Sequence, residues 1–375
     1  MSRRTLSAAF THNGALEGLT RRIAATTQQR TFATTSRRDV KHITKFTPTS
    51  SSELDQLLET MRQKIILPSF LPAEQRSKLY DPKWEQRLKS DPITIEIDGE
   101  ILKFYHQNPL KGDIPETKRT FREIVYRLKT PEDFANLRPL LEGLHQAGRK
   151  LNHVTWAQLT RIVCERGQHL ELLECARSVK RTGFRLGLLH EVVLRLLTAV
   201  QMDAVDAGWS TSATRAALRR AEMVLEMLET EEHQRAKDIP AGSIPLQSTP
   251  MVILAPMHLA AALGDVDKTT KFARDLVRVW PSADKPLAVA QQEVTVDANK
   301  TMESKSVRLM FLAPLAHGLQ RAAGLVEDAA LREQLQARAD ALTSEVEALS
   351  QQCEKEKVGH KFYQRVFEQK AEAEK

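Results

Sequence analysis

Between Thr117 and Leu188 the apolar residues recur at a spacing of 35 positions, and this period constrains the fold more than any other feature of the chain. Phe121 returns as Trp156, Ile124 as Leu159, Leu128 as Val163 and Leu137 as Leu172. Leu141, Leu144 and Leu151 return as Ala176, Val179 and Leu186, while Gly148 and Gly183 stand at the same offset. A fixed period of this length marks supersecondary units that stack, because one unit cannot bury its apolar face alone. Such an array offers a long surface, so the expectation is a binding scaffold before it is a catalyst.

The clearer unit runs without a gap from Val154 to Leu188. Its segments VTWAQLTRIVCERG and VKRTGF resemble the pentatricopeptide repeat: an aromatic in the first helix, Cys164-x-x-Gly167 at its end, and Lys180-x-x-Gly183 after the second helix. The resemblance implies a mostly α fold, an α-solenoid of helical hairpins whose first helices line the inner side. It also implies that a base is read by two or three side chains per repeat. Carried across, the base-reading positions are Ala157 and Gly187 in this unit and Arg122 and Asn152 in the unit before it. Ala157 and Gly187 depart from the family's polar residues and offer no side-chain group to a base edge, which argues against a long sequence-reading track. Trp156, Phe121 and Cys164 fall where the family packs its helices together. The RNA- or partner-contact candidates are therefore Lys118, Arg119, Arg122, Arg149, Lys150, Asn152 and Arg161, since phosphate contacts supply affinity without sequence information.

Seven segments follow from composition and helical spacing. Residues 1–39 read as a presequence and 40–52 as a Ser/Thr/Pro linker. Residues 53–114 form a small α/β element in which 93–105 make a β-hairpin around Asp98-Gly99, the dipeptide that supplies positive φ angles for a tight turn. Helical pairs fill 115–229, with helices expected over 117–129, 132–147, 154–165 and 170–182, then 188–200 joined by a longer insertion to 212–228. A polar loop, 230–250, precedes hairpins at 251–326. There the Gly264-to-Pro281 spacing resembles a tetratricopeptide unit, with Thr269 in place of the family's Ala. A second gap, 282–301, precedes a helix over 307–325. Charged C-terminal helices occupy 327–375, where Leu331, Leu335, Ala339, Leu342, Val346 and Leu349 form an apolar stripe expected to cap the last hairpin.

Charge points to an address as much as to a partner. Residues 1–39 hold seven arginines against Glu17 and Asp39, a net +5 of the formal +7. This acid-poor, Arg/Ser/Thr/Ala-rich stretch has the composition of a mitochondrial transit peptide. Its RTFATTSRRD segment resembles a fungal-type matrix-processing site, with Arg30 two residues before Phe32. Residues 101–188 carry sixteen Lys/Arg against nine Asp/Glu, so the period-bearing segment is the basic part of an otherwise acidic remainder. No window reaches the roughly 18 apolar residues of a membrane span. The expected location is the mitochondrial matrix, with a peripheral position at the inner membrane left open. Cys164, Cys175 and Cys353 show neither metal-type spacing nor a disulfide framework.

Motifs for chemistry are missing. Neither phosphate-cradling glycine pattern occurs. His190-Glu191 begins like a zinc-protease helix, but position 194 is Leu, so the second ligand is absent. His145, His153 and His169 fall on different expected elements. Acidic residues keep i,i+4 company with Lys and Arg, as on solvated helix faces. The expectation is a non-enzymatic scaffold of mitochondrial gene expression, needing no cofactor or metal. Its partner would be mitochondrial RNA or the mitochondrial ribosome. The alternative is an assembly factor binding respiratory-complex subunits.

Overall fold

A computed structural model describes residues 43–234, 245–283, 287 and 304–367. The presequence with Arg30 and Phe32, the middle of the 230–250 loop, nearly all of the 282–301 gap and the last eight positions lie outside the described residues. Two units separate: residues up to Ile43 with Glu96–Leu102, and Thr44–Ile95 with Lys103 onward.

In the first unit, Asp98 (φ 52°) and Gly99 (φ 75°) make the left-handed turn expected of that dipeptide. The Asp98 carboxylate accepts the Ile43 amide at 3.1 Å. The strands that the turn joins are β1 (Ile93–Ile97) and β2 (Glu100–Phe104).

The second unit is mostly α. It begins with α1 (Ser52–Met61), which runs on as a π turn (Arg62–Ile66) and a 3-10 turn (Leu67–Phe70); α2 (Ala73–Tyr80) and α3 (Glu85–Ser90) follow. The period-bearing segment forms α4 (Thr117–Arg127), the single turn α5 (Pro131–Phe134), α6 (Leu137–Gln146), α7 (His153–Glu165), α8 (His169–Arg177) and α9 (Val179–Thr182). Beyond it come α10 (His190–Asp206), α11 (Thr211–Glu229), α12 (Pro250–Leu263), α13 (Val266–Val279), α14 (Lys305–Leu325), α15 (Ala329–Gln352) and α16 (Val358–Phe367). Helix α7 lies against α8, α10 against α11, α12 against α13 and α14 against α15. The first members also adjoin in series, α4 to α7 to α10 to α12 to α14.

The 35-residue offset corresponds to matched local environments. Phe121 and Trp156 are both buried in the core, as are Ile124 with Leu159 and Leu137 with Leu172. Gly148 (φ 68°) and Gly183 (φ 70°) both end their second helices in the left-handed conformation that favours glycine. The second helices are interrupted at different places, however. In the first pair a capping box, in which Thr130 and Asp133 satisfy each other's amides, opens α5, and the break before α6 falls at Ala135–Asn136. In the other pair the break falls at Ser178.

Two expectations need correcting. The helix expected to end at Val200 continues to Asp206, leaving Ala207–Ser210 as the only connection to α11. Its polar residues interrupt the apolar pattern but find partners across the fold: Gln201 bonds His258 at 3.0 Å, and Asp203 accepts from Arg220 at 3.0 Å and pairs with His169. The Thr47–Ser51 segment is no free linker. Thr47 donates its amide to Asn136 Oδ1 (2.8 Å) and accepts from Asn136 Nδ2 (3.0 Å), and Ser50 is held by the Asp133 carboxylate. At the C-terminal end, α15 buries its expected apolar stripe against α14 and α13, and α16 turns back onto α14 and α10. Arg338 of α15 is buried and donates twice to the Trp280 carbonyl, at 2.9 and 2.6 Å. The most apolar helix, α12, has Met251–Ala260 buried, and no helix among the described residues is long and apolar enough to cross a membrane.

Candidate nucleic-acid interface

The residues singled out from sequence fall in two places. Lys118, Arg119 and Arg122 share the exposed face of α4, because positions three and four apart on a helix lie side by side. One turn on, Tyr126 is 48% exposed and its hydroxyl accepts from Gln158 of α7 at 2.6 Å. The Arg122 side borders a shallow crevice between α4 and α7. Arg161 extends this strip on α7, but it is half-buried and its Nε reaches no hydrogen-bond partner. Arg166 is committed to structure: it donates to the Val125 and Tyr126 carbonyls at the end of α4.

Arg149 and Lys150 lie elsewhere, in the turn after α6. With Lys180 and Arg185, from the end of the next pair, they surround a cavity of about 460 Å³ whose inner wall includes Leu144, Leu151 and Trp156. Glu232 is the acid on this wall, and Lys180 binds it at 2.9 Å. That hydrogen bond holds the Glu232 carboxyl below its ordinary range and raises the Lys180 ammonium. Arg149 also acts on Tyr80, where burial raises the phenol and the guanidinium partly offsets the rise.

Asn152 is a helix cap. Its Oδ1 accepts from the Thr155 amide (2.9 Å) and hydroxyl (2.6 Å), satisfying an otherwise unpaired donor of α7. Gly187, its counterpart at the offset, is buried, and its amide donates to the His233 carbonyl at 3.0 Å. The second base-reading position carried over from the repeat resemblance therefore serves the backbone in both units, while Arg122, the first position of the earlier unit, stays exposed.

Neighbouring cations show which charges are spent on structure. Arg127 pairs with Glu53 and Glu123, Arg138 and Arg181 with Glu142, and Arg177 with Glu174. Lys118, Arg119, Arg122, Arg149, Lys150 and Arg185 have no carboxylate within ion-pair distance among the described residues, and all six are exposed. Sequence reasoning missed Arg185, Lys180 and Tyr126. The signal for Arg185 was present: it stands 35 positions after Lys150.

The other groups weighed for chemistry have structural partners. Glu191 and Arg195 form a buried pair at 2.8 Å, and His169 bonds Asp203 at 3.0 Å. Burial pushes the Cys164 and Cys175 thiols up to about 12.

Comparison with known proteins shows a match between residues 30–371 and the family model described as mitochondrial ribosomal protein mS27. A relative from Neurospora crassa, small ribosomal subunit protein mS27, is 35% identical over 369 residues, covering 90% of this chain and 92% of that protein.

Proposed function

The chain belongs to the mS27 family of mitochondrial ribosomal proteins, and from that membership we propose that it is a non-enzymatic constituent of the small subunit of the mitochondrial ribosome. The observation that carries this reading is the family match across nearly the whole described chain. Its place of work is then the mitochondrial matrix, in mitochondrial translation, with residues 1–39 as the address removed near Arg30 and Phe32. Helix pairs in the manner of pentatricopeptide repeats supply a stiff frame. The exposed α4 face, with Lys118, Arg119 and Arg122 free of carboxylate partners among the described residues, contacts ribosomal RNA through phosphates, where point charges position without reading sequence. A ribosomal family favours this reading over a respiratory-complex assembly factor, for which no observation speaks, and a position at the inner membrane has no support either.

Sedimentation of a mitochondrial lysate on a sucrose gradient tests the assignment. The tagged full-length protein is expected to travel with the small subunit at low magnesium and with the intact ribosome at higher magnesium. Sedimentation at the top of the gradient, or with a respiratory complex, would overturn it. Changing Lys118, Arg119 and Arg122 together to Ala is expected to lower the salt concentration at which the protein leaves the subunit, without lowering its melting temperature.

A further inference from the structure

The cavity between the turns after Gly148 and Gly183 has a composition that a scaffold does not require. Arg149, Lys150 and Arg185 reach it from two loops and meet no acid there among the described residues. Of the two remaining charges on its wall, Lys180 and Glu232 neutralise each other. The rim thus holds an uncompensated charge of three among the described residues. Holding like charges together without a counterion is unfavourable, and a bound anion relieves it.

The inner wall has different chemistry: Leu151, Val179 and an edge of Trp156 line it. At about 460 Å³ the space falls within the range of small-molecule clefts and is too confined for a partner helix, which is about 10 Å across. A cationic rim over an apolar floor suits a ligand with a charged group at one end and a flat apolar face at the other. An acidic side chain is too short to use both, and a base-paired helix keeps its bases inside. An unstacked nucleotide uses both, with its phosphate at the arginines and its base against the floor.

We propose that this cavity receives an unpaired nucleotide of ribosomal RNA, its phosphate held by Arg149, Lys150 and Arg185 and its base resting on Leu151, Val179 and the edge of Trp156. The site differs from the α4 face and does not use the base-reading positions of the repeat resemblance. It rests on the ribosomal reading for the identity of the RNA. Because two successive helix pairs form it, occupancy also ties the first pair to the second.

Two measurements test the site. In the first, small subunits from mitochondria are irradiated at 254 nm and nucleotide adducts are mapped by mass spectrometry. Adducts on peptides spanning 145–156 or 180–187 support the proposal. Adducts only elsewhere on the chain overturn it, while co-sedimentation of the protein in the same samples reports separately on the ribosomal assignment. In the second, purified full-length protein binds a fluorescent twelve-nucleotide oligouridine, read by anisotropy. The triple change Arg149→Ala, Lys150→Ala and Arg185→Ala is expected to weaken binding about tenfold or more. It should also reduce the slope of log affinity against log salt by about 0.7, the value for one phosphate contact on a single strand. Equal loss in a charge-matched control (Arg215→Ala, Arg219→Ala, Lys361→Ala) would show a net-charge effect and refute the site. Equally strong competition by polyglutamate would assign the cavity to an acidic protein segment, and displacement by adenosine monophosphate at the oligomer's own concentration to a free nucleotide; either overturns the proposal.

Discussion

Removing the Asp133 carboxylate is expected to release the strap before α1 from the first helical pair. Asp133 has no exposed surface, and its two oxygens accept from the Ser50 amide (2.8 Å) and hydroxyl (2.9 Å), the Lys129 amide (2.8 Å) and the Thr130 amide (3.0 Å). Burial alone raises the pKa of this acid. The Ser50, Thr130 and Lys129 amides and the Ser50 hydroxyl outweigh it and hold the pKa at about 2, against an ordinary 3.8. A depressed acid contributes stability that is complete above its unfolded value and lost as pH falls through the folded one. The contribution is therefore full above about pH 5 and disappears toward pH 2. The shift converts to about 2 kcal/mol. Asp133→Ala also leaves three amides without a partner and removes half of a capping box, so its total cost is about 3 kcal/mol. A chain of this size need not unfold in one step, so local hydrogen exchange is the better readout. The Ser50, Lys129 and Thr130 amides should exchange on the order of a hundredfold faster in Asp133→Ala at pH 7. Asp133→Asn should remove this contribution and so reduce the stability lost between pH 5 and 2. The double change with Ser50→Ala should cost less than the sum of the single changes, because the two groups are bonded. Additive effects, or unchanged exchange at those amides in Asp133→Ala, would refute the reasoning.

Four further outcomes can be measured. Arg195→Ala leaves Glu191 charged and buried and should destabilise by about 3–5 kcal/mol in thermal unfolding, whereas Glu191→Leu with Arg195→Met should recover most of the loss. Gly359→Ala drives a methyl into the Ser306 carbonyl, a backbone group that cannot move aside, so α16 should undock and be clipped early by protease while the rest of the chain persists. Cys353, half-buried like Cys164, should react with iodoacetamide at pH 8 well before Cys164 and Cys175, because burial pushes those two thiols up to about 12; labelling is followed by mass spectrometry. Burial, then the neighbouring His317 and Arg321, holds His258 well below its ordinary 6.5. The unfolded chain takes up that proton first, so stability should fall as pH drops below about 6.5, and His258→Gln should flatten this part of the stability–pH curve.

The linear chain determined its elements because their signals are local. Helical spacing, Asp98-Gly99, the glycines after α6 and α9 and the 35-residue offset act through near neighbours, so α4, α7 and α13 lie close to where periodicity put them. The offset even carried Lys150 onto Arg185. What the chain could not reveal were relations across many residues. Gln201 and Asp203 look like the end of a helix until His258, His169 and Arg220 arrive as partners, and Thr47–Ser51 looks like a linker until Asn136 and Asp133 bind it. Only the tertiary structure decided that Gly187 is buried against His233 rather than facing a ligand. It alone brought Arg149 and Lys150 to the same cavity as Arg185, because charge repulsion and apolar shelter act through space, and packing sets those distances.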